Sequence, residues 1–183
     1  MTVRRAGCVL MLMSLVSLAG CAVVEPEDRD IAQVRAAVGE DPGLPIEQLS
    51  RELGISPAAV IAALPESKRR RLPNHEAAGL LAEMGDWGTV TLDYEVIGHL
   101  FEYLGPMPRV TRETTRHIEL TPEGEQGLRI SLAKRDIASV WLLRYPAEDG
   151  PAVWFCEEQG EPWLVIRIEK TGPGFNRAWD RLD

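Results

Sequence analysis

The chain has 183 residues, of which 45% are hydrophobic and 26% are charged, and its formal net charge is -8. This composition is typical of a globular protein and excludes a disordered or fibrous chain. A chain of this length buries roughly 70% of the surface that its unfolded form exposes, so it can hold a core without metal ions or disulfide bonds. The negative charge disfavours a polyanionic partner, although a local cluster of cations could still bind phosphate or propionate groups.

The amino terminus has the composition of a bacterial export signal. Arg4 and Arg5 form a charged start, an apolar run follows over 6–18, and Leu18-Ala19-Gly20-Cys21 supplies the small residues of a cleavage site. The apolar run is too short for a permanent membrane-spanning helix. The last four residues resemble the lipobox of bacterial lipoprotein signals, which implies that Cys21 receives a diacylglycerol group and becomes the mature amino terminus. Acyl chains on Cys21 would anchor the domain to a membrane.

These features divide the chain into parts: a lipoprotein signal peptide over 1–20, a polar tether over 21–29 and one domain over 30–183, which is helical over 30–84 and mainly antiparallel sheet over 87–183. Ala22 follows the cysteine where aspartate would direct retention, so the chain resembles lipoproteins of the outer membrane. We therefore expect a lipid-anchored protein of the cell envelope. A plain secretory signal or a misassigned start codon is the alternative, and in the second case the domain would be cytoplasmic.

The first part of the domain has helical periodicity. Four helices are predicted, over 31–38, 45–53, 57–64 and 74–84, with Ser56 and Asn74 as N-caps and Gly54 as a C-terminal stop. From Trp87 the period changes to two. Seven strands are predicted, over 89–95, 99–103, 117–120, 128–132, 137–145, 152–156 and 163–168, before a last helix over 175–182. The pattern predicts an α+β fold with an N-terminal helical segment, a large antiparallel β-sheet and a C-terminal helix on one side.

Residues 46–60 have the spacing of a helix-turn-helix, with Gly54 in the turn. A recognition helix needs polar or basic side chains on its exposed face, but residues 57–64 are almost only Ala, Val, Ile and Leu. We therefore expect no nucleic-acid partner. The run Lys68-Arg69-Arg70-Arg71 is interpreted as a solvated surface at the end of a helix.

Motifs of hydrolases and group-transfer enzymes do not occur in the sequence, which has no nucleophile elbow, phosphate loop, paired-cysteine motif or HExxH spacing. Cys156 lies in a strand-like stretch and is expected to be a small buried hydrophobe.

A cluster of cations precedes His117, with arginines at positions 109, 112 and 116. Haem requires cations for its two propionates, an axial donor for its iron and an apolar slot for the porphyrin. We take His117 as the candidate haem ligand and Arg109, Arg112 and Arg116 as candidate propionate-binding residues. The alternative is an edge-strand histidine beside a solvated basic turn.

Two further donors are secondary ligand candidates, His99 and Met107. Ile118 and Leu120 beside His117 are the apolar residues from which a slot could be built. Apart from haem iron, no metal site is predicted.

Three stretches resemble the bacterial HutX/ChuX family of haem-trafficking proteins in order and spacing. They are the helical lead from Glu40-Asp41-Pro42-Gly43 to Ala63-Leu64-Pro65, the block Asp86-Trp87-Gly88-Thr89-Val90-Thr91-Leu92, and Phe101-Glu102-Tyr103-Leu104-Gly105 with Pro108. The hairpins over 137–168 follow the family's strand rhythm, with Trp154-Phe155 and Gly160 near its own aromatic pair and glycine.

The resemblance implies a homodimer of haem-carrier domains built on the sheet-and-helix unit of the HemS/ChuS haem-utilisation proteins. The family's proposed iron-binding tyrosine aligns with His117, and histidine is itself a common haem ligand. The leading hypothesis is therefore a haem or porphyrin carrier in iron or haem utilisation, without catalysis and tethered by lipid. The alternatives are an envelope lipoprotein that keeps the fold as a ligand-free interaction scaffold, and a haem-degrading enzyme.

Overall fold

The computed structural model describes residues 26–96, 98–122, 129–148, 150–169 and 173–182, so the predicted signal peptide and Cys21 lie outside the described residues. The helices are α1 (Asp28–Glu40), α2 (Ile46–Leu53), α3 (Pro57–Ala63), α4 (Ala77–Met84) and α5 (Pro173–Arg181). The strands are β1 (Arg69–Leu72), β2 (Thr89–Val96), β3 (His99–Pro106), β4 (Arg109–Glu113), β5 (His117–Thr121), β6 (Ile130–Ala133), β7 (Ser139–Leu143), β8 (Ala152–Cys156) and β9 (Pro162–Ile168).

The strands form two antiparallel sheets. Six strands pair in the order β1-β7-β8-β9-β2-β3, which leaves β1 and β3 at the edges, and three pair in the order β4-β5-β6. The predicted α+β architecture with helices at both ends of the chain is confirmed. None of the helices within the described residues is long and apolar enough to cross a membrane.

The six-stranded sheet separates two apolar cores. On one face, α1, α2 and α3 cover strands β7, β8 and β9 through a smaller core that includes Trp141 and Trp154. On the other face, the three-stranded sheet, α4 and α5 enclose a larger core that includes Val90, Phe155 and Phe175. No residue of β2 or β3 belongs to the smaller core, so the helices leave that part of the sheet uncovered.

Local sequence signals explain the turn between α2 and α3. Gly54 has φ = 69°, a conformation that suits glycine, and ends α2. The Ser56 hydroxyl accepts a hydrogen bond from the backbone N–H of Ala59 at 3.3 Å, which confirms the predicted cap. A Cβ at Gly160 would lie 2.5 Å from the Ser56 hydroxyl, so only glycine lets the β8–β9 turn approach α3 this closely.

Helix α3 cannot act as a recognition helix. Six of its residues are buried, namely Pro57, Ala58, Ala59, Val60, Ile61 and Ala63. The spacing of a helix-turn-helix therefore serves packing of α3 against the sheet.

Several sequence predictions need correction. The run after Lys68 is not the end of a helix: Arg69–Leu72 form β1, which pairs with β7. Residues 109–113, which lie between the predicted strands over 99–103 and 117–120, form an additional strand, β4. Asn74 is part of a 3-10 turn before α4 and makes no capping bond, because Pro73 occupies the cap position. Helix α1 begins at Asp28, inside the range predicted as tether.

Candidate functional site

His117 begins β5 and lies on the outer face of the three-stranded sheet. Because side chains alternate along a strand, the buried Ile118 and Leu120 point to the core, whereas His117 is exposed and points away from it. Arg112 pairs with Glu119 in register, and Arg109 pairs with Thr121. Residues directly opposite on antiparallel strands share a face, so both arginines lie on the same face as His117.

The β4–β5 turn that positions His117 is built around Thr114. Its hydroxyl accepts hydrogen bonds from the backbone N–H groups of Arg116 at 3.2 Å and His117 at 2.9 Å, and donates to the His117 carbonyl at 3.2 Å. Lys134, with its ammonium 2.5 Å from a Glu113 carboxylate oxygen, connects the turn to the chain after β6. Arg116 is exposed at the tip.

The predicted propionate-binding arginines make loose ion pairs. Arg112 Nη1 lies 3.7 Å from a carboxylate oxygen of Glu119, and Arg109 Nη2 lies 3.8 Å from one of Asp86. Both arginine side chains are more than half exposed. Exposed pairs of this kind contribute about 0–1 kcal/mol, so an incoming carboxylate can replace the present partner at little cost.

The apolar slot predicted beside His117 is absent from the described residues around it. Ile118 and Leu120 are buried, and Met107 is only 2% exposed within the larger core. A Met107 thioether could reach a ligand only if that core opened. The outer face therefore offers His117, cations and hydroxyl groups, but no apolar surface.

An exposed apolar strip lies on β3, at one edge of the six-stranded sheet. The exposed large hydrophobic side chains of the described chain are Leu100, Phe101 and Leu104, with exposures of 69%, 58% and 64%. Contiguous exposed apolar patches on soluble proteins often mark sites where a ligand or another protein binds. Exposed His99 begins the same strand, so this strip has an imidazole at its end.

The two faces of β3 carry different parts of the strip. Phe101 lies opposite Tyr94, which packs against the larger core, so Phe101 and His99 point to the side of the three-stranded sheet. The Tyr94 hydroxyl donates to the Ser131 carbonyl of β6 at 3.3 Å. Leu100 and Leu104 point to the opposite side, where the helices leave the sheet uncovered.

Sequence reasoning recognised His99 only as a secondary candidate and missed the strip. The sequence contains a signal for the strip, because apolar residues occupy adjacent positions in His99–Pro106. A strand with one face in solvent would instead alternate apolar and polar residues.

Three open surface cavities lie away from the predicted site residues. A cavity of about 490 Å³ is formed by the uncovered part of the sheet, with the Arg167–Asp93 ion pair in its wall. Cavities of about 530 and 430 Å³ are lined by residues near His75 and near Trp163. None of the three is lined by His99, His117 or the three candidate arginines. Within the described residues, no group of three or more His, Cys, Asp and Glu side chains is placed to hold a metal ion.

The Trp87-Gly88 block has a structural role. Trp87 is 6% exposed and meets Phe175 of α5 edge to face, with 5.7 Å between ring centroids. A Cβ at Gly174 would lie 2.4 Å from the Trp87 ring, so glycine is needed where α5 begins. The contact between Trp87 and Phe175 therefore packs the C-terminal helix α5 against the larger core.

Comparison with solved structures identifies the same architecture in proteins of low sequence identity. The haem-binding protein ChuX has a TM-score of 0.66 and 14% identity over 81% of this chain and 98% of its own. The fold of this chain is that of ChuX. Holo-PhuS, a haem-binding protein from Pseudomonas aeruginosa, has a TM-score of 0.65 and 14% identity over 100% of this chain and 50% of its own.

ChuS, a haem oxygenase from Escherichia coli, has a TM-score of 0.63 and 14% identity over 87% of this chain and 50% of its own. The present chain thus matches about half the length of PhuS and ChuS and nearly all of ChuX. No known family model and no curated protein matches this sequence.

Proposed function

We propose that this chain binds haem or a related porphyrin and carries it in iron or haem utilisation, held at the cell envelope by lipid on Cys21. The observation that carries the proposal is the exposed aromatic ring of Phe101 beside the exposed imidazole of His99 on one face of β3. Support from fold comes from ChuX and PhuS, which are haem-binding proteins.

The residues present fit the chemistry of haem, whose iron takes an axial imidazole and whose porphyrin needs apolar contact. His99 supplies an exposed imidazole, and Phe101 on the same face of β3 supplies an aromatic surface beside it. Arg109 and Arg112 carry exposed guanidinium groups for carboxylates.

His99 and His117 are thus competing candidates for the axial ligand. His117 has the cations near it and His99 has the apolar surface near it. Porphyrin affinity comes mainly from burial of the apolar ring, whereas exposed charge pairs contribute little. We therefore expect substitution of His99 to have the larger effect.

A haemin titration of the chain from Ala22 onward, followed at the Soret band, tests the proposal. We expect one saturable site in the wild type, an affinity at least tenfold lower in His99→Ala and a smaller loss in His117→Ala. His75→Ala is the matched control, because His75 is exposed and lies outside both candidate surfaces. A dominant effect of His117→Ala would assign the ligand to the three-stranded sheet instead.

The second candidate is a ligand-free interaction scaffold. It is favoured by the absence of His99 and His117 from the walls of the three cavities described above. A wild-type titration without a saturable Soret shift would reject the carrier and leave the scaffold.

The likeness to ChuS suggests haem degradation as a third candidate activity. A haemin complex that yields no degradation product with a reductant and oxygen would reject this activity.

The lipid anchor has its own test in cells. We expect the full chain to incorporate labelled palmitate and Cys21→Ala to lose all incorporation, because the thioether forms on that sulfur. Cys8→Ala is the matched control and should leave labelling unchanged. A wild type that takes up no palmitate would reject the anchor without affecting the haem proposal.

A further inference from the structure

A group of cations surrounds β1, at the opposite edge of the six-stranded sheet from β3. We name it the basic edge and define it as Arg35, Lys68, Arg69, Arg71 and Arg144. Within the described residues, no carboxylate oxygen lies within 4.0 Å of any of these five side chains. Among the described residues, these five cations thus have no ion-pair partner, which is unexpected on a protein of net charge -8.

Aromatic rings and carbonyl groups hold several of these cations in place. The Arg69 and Arg71 guanidinium groups lie 5.6 and 5.7 Å from the centroid of Trp141, and Arg69 Nε donates to the Leu64 carbonyl at 2.9 Å. On the other face, Arg144 lies 4.3 Å from the centroid of Trp179 and donates to Asn176 at 2.7 Å. Cations held in this way lose less entropy on binding an anion than free side chains do.

The positive charges are close enough to affect one another. Burial lowers the pKa of Arg69, and the neighbouring charges of Arg35 and Arg70 lower it further, against the opposing effect of Glu66. A bound anion would relieve this repulsion. The arrangement therefore favours an anionic partner on geometric and electrostatic grounds.

The edge is unsuited to pairing with an added strand. β1 has only four residues, and the Arg70 side chain donates to the Arg69 carbonyl at 3.0 Å, so part of the edge is already occupied. Charged side chains on short edge strands are a common protection against strand addition. The partner should therefore present a surface of negative charge.

We propose that the basic edge docks on the anionic phospholipid headgroups of the membrane that carries the anchor. This inference rests on the proposed lipid at Cys21. Six residues lie between Cys21 and the start of α1 at Asp28, and the seven steps from one to the other span at most about 25 Å when extended. Arg35 lies seven residues further along α1, or about 10 Å at the helical rise. The anchor thus leaves the basic edge within reach of the same membrane.

Vesicle binding by the unlipidated chain tests this surface without the anchor. The chain from Ala22 onward contains every described element, which all lie between residues 26 and 182. Its binding would be measured by co-sedimentation with vesicles of phosphatidylglycerol and phosphatidylcholine, and with vesicles of phosphatidylcholine alone, at low and high salt. We expect binding only to the anionic vesicles, and loss of it at high salt because the charges are then screened.

Two double variants of equal net charge separate the basic edge from general electrostatics. Each cation near an anionic leaflet contributes about a fivefold factor in binding, so Arg35→Gln/Arg71→Gln should bind roughly 25-fold more weakly. Arg129→Gln/Arg135→Gln is the matched control, since both arginines are exposed near β6, and it should bind as the wild type does.

The proposal would be overturned if the wild type did not bind anionic vesicles, or if both double variants lost vesicle binding to the same extent. Failure here with palmitate still incorporated at Cys21 would reject the basic edge and keep the anchor. Vesicle binding without palmitate incorporation would reject the anchor and keep the surface.

Discussion

At the scale of single residues, Cys156 shows how burial controls chemistry. It lies on β8 in the smaller core with no exposed surface, and burial raises the pKa of its thiol to about 12. A hydrogen bond with Ser139 opposes this shift and is too weak to cancel it. Because the thiolate is the reactive form, the native thiol should be inert at neutral pH.

We expect iodoacetamide to leave the chain from Ala22 onward unlabelled at pH 8 when it is folded and to label it fully in urea. Labelling of the native protein at the rate of an exposed thiol would contradict this.

The free energy of unfolding of the chain should also depend on pH through Cys156. The pKa is raised in the folded state, so the contribution of Cys156 is complete below the ordinary value of 9.0 and is lost as pH rises toward 12. The free energy of unfolding of the wild type should therefore fall relative to Cys156→Ala above pH 9. An unfolding free energy of the wild type that does not fall relative to Cys156→Ala above pH 9 would contradict this prediction.

At the scale of elements, strands β1 and β4 show where sequence periodicity fails. Their sequences, Arg69–Leu72 and Arg109–Glu113, are rich in arginine, which resembles solvated surface. β1 is nevertheless a strand because β7, about 70 residues later in the chain, pairs with all four of its residues. The guanidinium groups of Arg69 and Arg71 lie over the ring of Trp141, and only Leu72 of this strand is an apolar residue in the core.

At the scale of the whole molecule, the exposed residues of the edge strand β3 offer a contact surface for the homodimer that the family resemblance implies. Leu100 and Leu104 are exposed on the face that the helices leave uncovered, and burying one leucine contributes about 1.5–3 kcal/mol. We propose that a second copy covers this face of β3.

Sedimentation velocity tests this dimer. We expect Leu100→Thr/Leu104→Thr to weaken the dimer at least a hundredfold, since four leucine side chains per dimer lose apolar contact while the strand propensity is kept. Glu102→Gln, on the same face between them, is the matched control and should leave the dimer intact. A wild type that sediments as a monomer would reject the dimer.

Local sequence patterns were enough to predict a helical first part followed by strands and a last helix, the Ser56 cap, the stop at Gly54, the burial of Cys156 and the rejection of α3 as a recognition helix. These follow from local propensity and from periodicity within a few residues, which do not depend on distant partners. Tertiary structure decided the division into two sheets, the burial of Met107 and the exposure of β3. Each depends on which distant strand lies alongside. A side chain such as Leu104 is core or surface only according to whether another element covers it, and no pattern within its own strand records that.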